Sequence, residues 1–252
     1  MRGELLGKIV GLWRYPIKSM RGEALGRVGI GPHGIPGDRA FALRDARDGR
    51  IMSAKRTAAL LALRASYPDP DGPQSPAAIE LPEGRNVRTD APEVSALLSS
   101  VLARPVELCG ADDTRPDRRV EWDNETSFDA PPGAFVDLAP LHLLTTASLR
   151  AIGAHHPEGR FDPRRFRPNL LVDCGERSGF VEDRLDGNVL RIGETLRLRV
   201  LMPTIRCPLT TRAQQDLPAD PAILRTVVEH HGGNLGVYAT VESGATSAWA
   251  TP

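Results

Sequence analysis

The residues with the most chemical reach lie in Met202-Pro203-Thr204-Ile205-Arg206-Cys207-Pro208-Leu209-Thr210-Thr211, where one thiol is bracketed by prolines. Arg206 on one side and the hydroxyls of Thr210 and Thr211 on the other are surroundings that favour a thiolate. A thiolate on a rigid turn is either a nucleophile or a soft metal ligand. Four further segments carry polar groups at turns. Trp13-Arg14-Tyr15-Pro16-Ile17-Lys18-Ser19-Met20 ends a strand in a proline turn and offers Lys18 and Ser19. Gly37-Asp38-Arg39 is a tight turn that directs an arginine along the next strand, and Arg164-Arg165-Phe166-Arg167-Pro168-Asn169 is dense in guanidinium. Thr145-Thr146 places hydroxyls at a helix start, where free amides bind anions. A lysine, several arginines, hydroxyls and a helix N-terminus together predict a pocket for a phosphate-bearing ligand, with Cys207 at its reactive end. No G-x-x-x-x-G-K-[ST] pattern is present, and the phosphate is expected to be held in neither a dinucleotide nor a P-loop manner.

Short strands must position these groups. Alternating or apolar runs predict strands over 7–13, 24–30, 40–43, 60–67, 106–108, 169–172, 195–201 and 235–241. Turn signals separate them, among them Pro36-Gly37-Asp38, Asp48-Gly49 and Gly232-Gly233. Three helices are expected. One is capped by Asp90 and runs through Val94, Leu97, Leu98 and Leu102; a second begins near Thr145-Thr146 and carries Leu149 and Ile152. The third is capped by Asp220, has Pro221 at its first position, buries Ile223, Leu224, Val227 and Val228, and stops at Gly232-Gly233. Many strands and few helices predict a β-rich mixed α/β chain, barrel-like, with short peripheral helices. The polar stretch 110–117 is the expected boundary between two domains, 1–115 and 116–252.

Composition narrows the function classes. The 32 basic and 32 acidic residues cancel, so no global field argues for nucleic acid or a membrane surface. No apolar stretch is long enough to span a bilayer, and the N-terminus lacks the long apolar region of a signal peptide, so a cytoplasmic location is expected. The cysteines Cys109, Cys174 and Cys207 are an odd number without a C-x-x-C pair, which argues against a disulfide framework, a zinc site or an iron–sulfur cluster. Lysine is rare, only Lys8, Lys18 and Lys55, and the other 29 basic residues are arginine. Cys109 and Cys174 read as small buried hydrophobes. The pairs His155-His156 and His230-His231 fall at helix C-termini, where imidazolium complements the dipole. His33 and His142 have no partner spacing for a metal.

Tyr15-Pro16-Ile17-Lys18-Ser19, Gly37-Asp38-Arg39, Arg165-Phe166-Arg167-Pro168-Asn169 and Arg206-Cys207-Pro208-Leu209-Thr210-Thr211, in that order, resemble the motifs of the MOSC family, named for the C-terminal domain of molybdenum-cofactor sulfurases. Within it the chain is similar to the branch of the mitochondrial amidoxime-reducing component and its bacterial relatives, over nearly its whole length. The resemblance implies an N-terminal MOSC β-barrel domain followed by a MOSC β-barrel domain, and a pyranopterin molybdenum cofactor. It implies Cys207 as metal ligand and catalytic residue, with Lys18, Ser19, Arg39 and Arg167 contacting the pterin and its phosphate. Ile205 and Arg206 precede the ligand, Tyr238 matches an aromatic position near the cofactor, and Thr145 and Thr146 fall where relatives carry a serine and an acidic residue. The C-terminus also departs from the family, which usually closes with a final strand after a glycine turn, so closure of the barrel is expected to differ at one edge.

Two functions are compatible with this resemblance. One is a molybdenum oxidoreductase that reduces small N-hydroxylated or N-oxide substrates; no cysteine-rich ferredoxin-like domain follows, so its electrons are expected from a separate donor protein. The other is a carrier that holds the cofactor, or a persulfide on Cys207, for delivery. Some relatives are linked to pyridoxal phosphate enzymes, but no pyridoxal-binding lysine pattern is visible here. Neither nucleic acid nor membrane is expected as a partner.

Overall fold

A computed structural model describes residues 4–69, 75–111, 133–244 and 246–249. Strands β1 (Lys8–Arg14), β2 (Glu23–Ala24), β3 (Arg27–Ile30), β4 (Phe41–Asp45), β5 (Arg64–Ser66), β6 (Ala78–Glu80) and β7 (Asn86–Arg88) precede helix α1 (Val94–Leu102) and β8 (Val106–Gly110). The rest comprises β9 (Leu141–Thr145), α2 (Thr146–Gly153), α3 (Pro163–Phe166), β10 (Leu170–Asp173), β11 (Val189–Ile192), β12 (Leu196–Ile205), α4 (Pro221–His231), β13 (Asn234–Ser243) and β14 (Thr246–Trp249). Among the described residues no helix is long and apolar enough to cross a membrane.

The largest sheet has the order β11-β12-β13-β9-β10-β1-β2, with no ladder joining its outer strands among the described residues. β9 lies at its centre, antiparallel to β13 and parallel to β10. All five residues of β9 are buried, as a strand covered on both faces requires. β4 pairs with β8, β5-β6-β7 form a small sheet, and β14 pairs with β3.

The two main cores interleave the halves of the sequence. Leu12, Leu25, Val28 and Ile30 from the first strands pack with Leu141, Leu143, Leu170, Leu198 and Val237. A second core gathers Ile17, Met20, Leu43, Leu60, Ile79, Leu98 and Val106, and it also takes in Leu209, two residues beyond Cys207. β1 therefore completes the sheet of the C-terminal half, while the Cys207 loop is pinned to the core of the N-terminal half. The segment after β1 and the segment after β12 meet at the junction of the cores.

Several expectations are corrected. Residues 60–67 are not one strand: a 3-10 turn over Ala58–Ala62 precedes the three-residue β5. The run 24–30 splits at Gly26 into β2 and β3. Asp90 does not cap α1; its carboxylate takes two hydrogen bonds from the Arg88 guanidinium, at 2.9 and 2.7 Å, and the helix starts at Val94, three residues after the first helical position that an Asp90 cap implies, without a side-chain cap. α4 starts and ends as expected, with Asp220 accepting from the Ala222 amide at 2.9 Å, but Val228 is 54% exposed. The central strand β9 gave no alternation to detect, because a strand buried on both faces has none. Gly29, Gly31 and Gly34 share the spacing of a dinucleotide fingerprint, yet Gly31 and Gly34 exchange backbone hydrogen bonds of 2.9 Å in a tight turn, and no helix follows. β14 supplies a strand after the Gly244 turn and pairs with β3. Residues 112–117 of the expected boundary, and 245 and 250–252 of the C-terminus, lie outside the described residues.

Candidate functional site

Eight of the ten predicted site residues line one cavity of about 260 Å³: Lys18, Ser19, Arg39, Arg167, Ile205, Arg206, Cys207 and Tyr238. They come from five separate stretches of chain, brought together where the two cores meet. Lys55, Asp137, His142, Phe166 and Asn169 share its wall.

The loop after β12 presents Cys207. The register of β12 against β13 shifts around Pro203, a residue that cannot donate to the ladder. Strand pairing ends at Ile205, opposite Asn234, and the half-buried Cys207 then opens a 3-10 turn over Pro208–Thr211. The expected hydroxyl support for the thiol is not found: Thr210 Oγ1 donates to the Cys207 carbonyl at 3.0 Å and Thr211 Oγ1 to the Pro208 carbonyl at 2.8 Å. What fastens the loop is Arg165. This fully buried side chain donates to the carbonyls of Arg160 (2.9 Å), Thr210 (3.2 Å), Arg212 (3.3 Å) and Pro218 (2.7 Å). Its neighbour Arg164 makes the outer ion pairs, with Asp162 and Asp216.

Three polar residues of the wall are held in costly backbone conformations. Ser19, Arg39 and Arg167 all have positive φ, at 67°, 49° and 55°. Each such backbone costs a non-glycine residue of order 1–3 kcal/mol and persists only where its surroundings impose it. The Tyr15 ring lies under both guanidiniums, with Arg167 Cζ 4.1 Å and Arg39 Cζ 4.6 Å from its centroid, and its hydroxyl donates to the Pro168 carbonyl at 3.1 Å. Arg39 pairs with Asp38, which also accepts from the Tyr15 amide at 2.8 Å. Burial opposes the charge on Arg39, but the Asp38 carboxylate outweighs it and raises the Arg39 pKa. For Arg167 the Asp38 and Asp137 carboxylates do not suffice: burial, then the neighbouring Arg39, lowers its pKa to about 10. Its Nη1 donates to the Met20 carbonyl at 2.6 Å.

On the other wall, Lys18 Nζ donates to the Phe135 carbonyl at 3.0 Å and pairs with Asp137. Burial works to raise the Asp137 pKa, yet the Lys18 ammonium prevails and leaves the carboxyl below its ordinary value. Arg206 donates through Nη2 to the Phe166 carbonyl at 2.7 Å, while its buried Nε has no partner. Its Nη1 lies 3.5 Å from His142 Nε2. Burial, then Arg206, holds the His142 pKa well below that of a free imidazole, so the ring is neutral, and in the tautomer protonated on Nδ1 its Nε2 accepts from Arg206. Gly236 makes room for this ring: a Cβ there would lie 2.4 Å from His142 Nε2, and its φ is +82°. Tyr238 faces His142 across the β13–β9 ladder, ring centroids 5.9 Å apart. Asn169 ties the walls, its Oδ1 accepting from the His142 amide at 3.1 Å and from Arg39 Nη1 at 3.3 Å.

Thr145 and Thr146 are not part of this cavity, which corrects the expected anion site at the start of α2. Thr145 caps the helix, accepting from the Ser148 amide at 3.1 Å, and donates to Glu182 Oε2 at 2.7 Å. Thr146 donates to Asp173 Oδ1 at 2.8 Å. The fully buried Glu182 carboxylate, which also accepts from Ser148 Oγ, occupies the place of the expected anion. Sequence reasoning missed Asp137, His142, Asn169 and Arg165. Asn169 and Arg165 stood inside a quoted motif, but their roles depend on contacts far along the chain. Of the other histidines, His155 and His230 stack at 3.9 Å, His231 meets Asp183 at 2.8 Å, and His156 meets Asp220 at 3.1 Å.

A two-domain, β-rich chain with a thiol at the end of a cationic cleft is the class that these observations define. The chain belongs to the MOSC family: the MOSC N-terminal beta barrel domain matches residues 6–114 and the MOSC domain matches residues 131–246. The family is associated with the molybdenum cofactor. Among solved structures, the YuaD protein from Bacillus subtilis shares the fold with a TM-score of 0.51 at 13% identity, over 99% of this chain and 94% of that one. No curated protein matches the sequence.

Proposed function

We propose that this protein is a molybdenum-cofactor-dependent oxidoreductase that reduces small N-hydroxylated or N-oxide compounds with electrons from a separate donor protein. The observation that carries the reading is the convergence of Lys18, Arg39, Lys55, Arg167 and Arg206 on a cavity whose only carboxylate among the described residues is Asp137. Asp137 pairs with Lys18 and Asp38 with Arg39, whereas Arg167 and Arg206 are bonded to no carboxylate among the described residues, and the unpartnered Nε of Arg206 lacks an acceptor. A phosphate-bearing ligand supplies both the charge and the acceptor.

The donor set fits a pyranopterin. Lys18, Ser19, Arg39, Arg167 and Arg206 would hold its phosphate and ring, and Cys207 offers the soft donor that molybdenum favours. Ile205 and Tyr238 would flank the cofactor, and the neutral His142 orients Arg206 through its Nε2. When bound, the cofactor supplies a metal centre able to pass electrons to substrate. The overall reaction is R–NHOH + 2 e⁻ + 2 H⁺ → R–NH₂ + H₂O, in which the N–O bond breaks and oxygen leaves as water.

Protein expressed in a cofactor-producing host should carry a molar equivalent of molybdenum, release a fluorescent pterin on denaturation, and convert benzamidoxime to benzamidine with a reduced viologen dye as electron source. Metal-free protein bearing a cyanide-labile sulfur on Cys207 would overturn this reading in favour of sulfur carriage.

A further inference from the structure

A second cavity, of about 450 Å³, lies outside the site just described and shares only Arg167 with it. Its wall holds four guanidiniums, from Arg21, Arg64, Arg164 and Arg167, and a single carboxylate, from Glu80. Arg164 is fully engaged by Asp162 and Asp216, and Arg64 reaches Glu80 at 3.3 Å. Arg21 and Arg167 are different. Arg21 donates to the Ala62 carbonyl at 3.1 Å and Arg167 to the Met20 carbonyl at 2.6 Å, and neither is bonded to a carboxylate among the described residues. Burial lowers the pKa of both guanidiniums, and the nearby carboxylates, Glu80 for Arg21 and Asp38 and Asp137 for Arg167, offset it only in part.

The same wall has donors to spare. Arg21 Nε is buried without a partner, and so is Nε2 of Gln214, a residue only 6% exposed. A buried donor left unpaired is costly, and both orphan atoms here are donors, so what the wall lacks is an acceptor. Aromatic surface completes it. Trp13 and Tyr15 line the cavity, the indole lying over Gly11, where a Cβ would come within 2.3 Å of the ring. Gln215, also in the wall, has a φ of 51°, so this rim too carries backbone strain. The volume falls within the range of small-molecule sites.

We propose that this cavity is a second ligand site, for a small aromatic compound bearing a phosphate or carboxylate. The oxygens would lie beside the Arg21 and Arg167 guanidiniums and the Gln214 amide, and the ring would lie against Trp13. The proposal does not depend on molybdenum, because none of its walls includes Cys207.

Isothermal titration of the full chain with phenyl phosphate, benzoate, inorganic phosphate and phenol tests it. Phenyl phosphate should saturate with a Kd near or below about 1 mM, and inorganic phosphate and phenol should each bind about tenfold more weakly. Binding of benzoate but not phenyl phosphate would identify the ligand as a carboxylate, and the reverse as a phosphate; either supports the site. Gln214→Leu and Arg64→Ala should each weaken the better probe about fivefold, and Trp13→Phe should remove the fluorescence change on binding. Lys18→Ala and Cys207→Ser, in the other cavity, should leave the affinity unchanged. Arg64 is exposed enough for its replacement to fold, and melting curves check Gln214→Leu. The proposal is overturned if neither anion saturates, if phenol binds as well as phenyl phosphate, if inorganic phosphate alone accounts for the affinity, or if Lys18→Ala abolishes binding while Arg64→Ala does not.

Discussion

The start of helix α2 and the Cys207 cavity carry the same kind of sequence signal, hydroxyls and positive potential waiting for an anion, and the fold treats them in opposite ways. At α2 the anion is internal: Glu182, fully buried, accepts from Thr145 and Ser148, and Asp173 takes the Thr146 hydroxyl. The electrostatics there are closed, and nothing is left for a ligand to satisfy. At the Cys207 cavity Arg167 and Arg206 are bonded to no carboxylate among the described residues, three wall residues hold positive φ, and Arg206 Nε has no partner. Those costs are offset by packing elsewhere, and on the proposed reading an anion would relieve the electrostatic part of them. A binding site is distinguished from a structural anion niche by what the protein leaves unsatisfied.

The contrast can be broken by substitution. If the protein is the proposed reductase, Cys207→Ala should have the largest effect, a loss of activity of about 10³-fold or more, since that reading makes Cys207 the metal ligand; its thermal stability should be nearly unchanged, and activity near wild type would end the ligand assignment. Glu182→Ala should do the reverse. With the Thr145 and Ser148 donors orphaned, unfolding free energy should fall by about 2–4 kcal/mol in urea titrations, and molybdenum content in the folded fraction should hold. Arg165→Met tests whether a structural cation inside a site motif behaves like Glu182: a loss of about 2–3 kcal/mol is expected from four abandoned carbonyls, with protease cutting appearing first in the 207–218 loop.

A milder effect separates the two regions by pH. His142 has a folded pKa below that of the unfolded chain, so between its depressed value and about 6.5 the unfolded state binds more protons. Stability from this group is therefore full above pH 6.5 and falls as pH drops below it, by at most about 1.4 kcal/mol per pH unit. His142→Gln should flatten that slope between pH 5 and 6.5, and an unchanged slope would assign it to another group. The smallest change is expected from Thr146→Ala. Its partner Asp173 is solvent-accessible, so neither the urea midpoint nor phosphate binding should move measurably.

Much of this was legible in the chain. The four motif segments were recognisable because each couples a turn former to a polar residue, and turn chemistry is local. Helix α4 was readable for the same reason, since Asp220, Pro221 and Gly232 are local stop and start signals. β9 was not, because a strand buried on both faces carries no period. Asp137, His142 and Asn169 escaped because their significance lies in contacts with Lys18, Arg206 and Arg39, more than 60 residues away in each case. Arg165 and Arg167 show the limit most plainly. They are two residues apart and chemically identical, yet one is spent on loop carbonyls and the other faces both cavities.

By itself the sequence determined the family, the thiol loop, the turns that present Lys18 and Arg39, and the β-rich class, because these rest on residue types at short spacing. Only the tertiary structure decided which charges are compensated. That depends on which carboxylate folds back onto which cation or hydroxyl: Glu182 lies 37 residues from Thr145, and no carboxylate among the described residues is bonded to Arg167. Coulomb attraction and desolvation act through space, and spatial neighbours are set by the interleaving of the two cores.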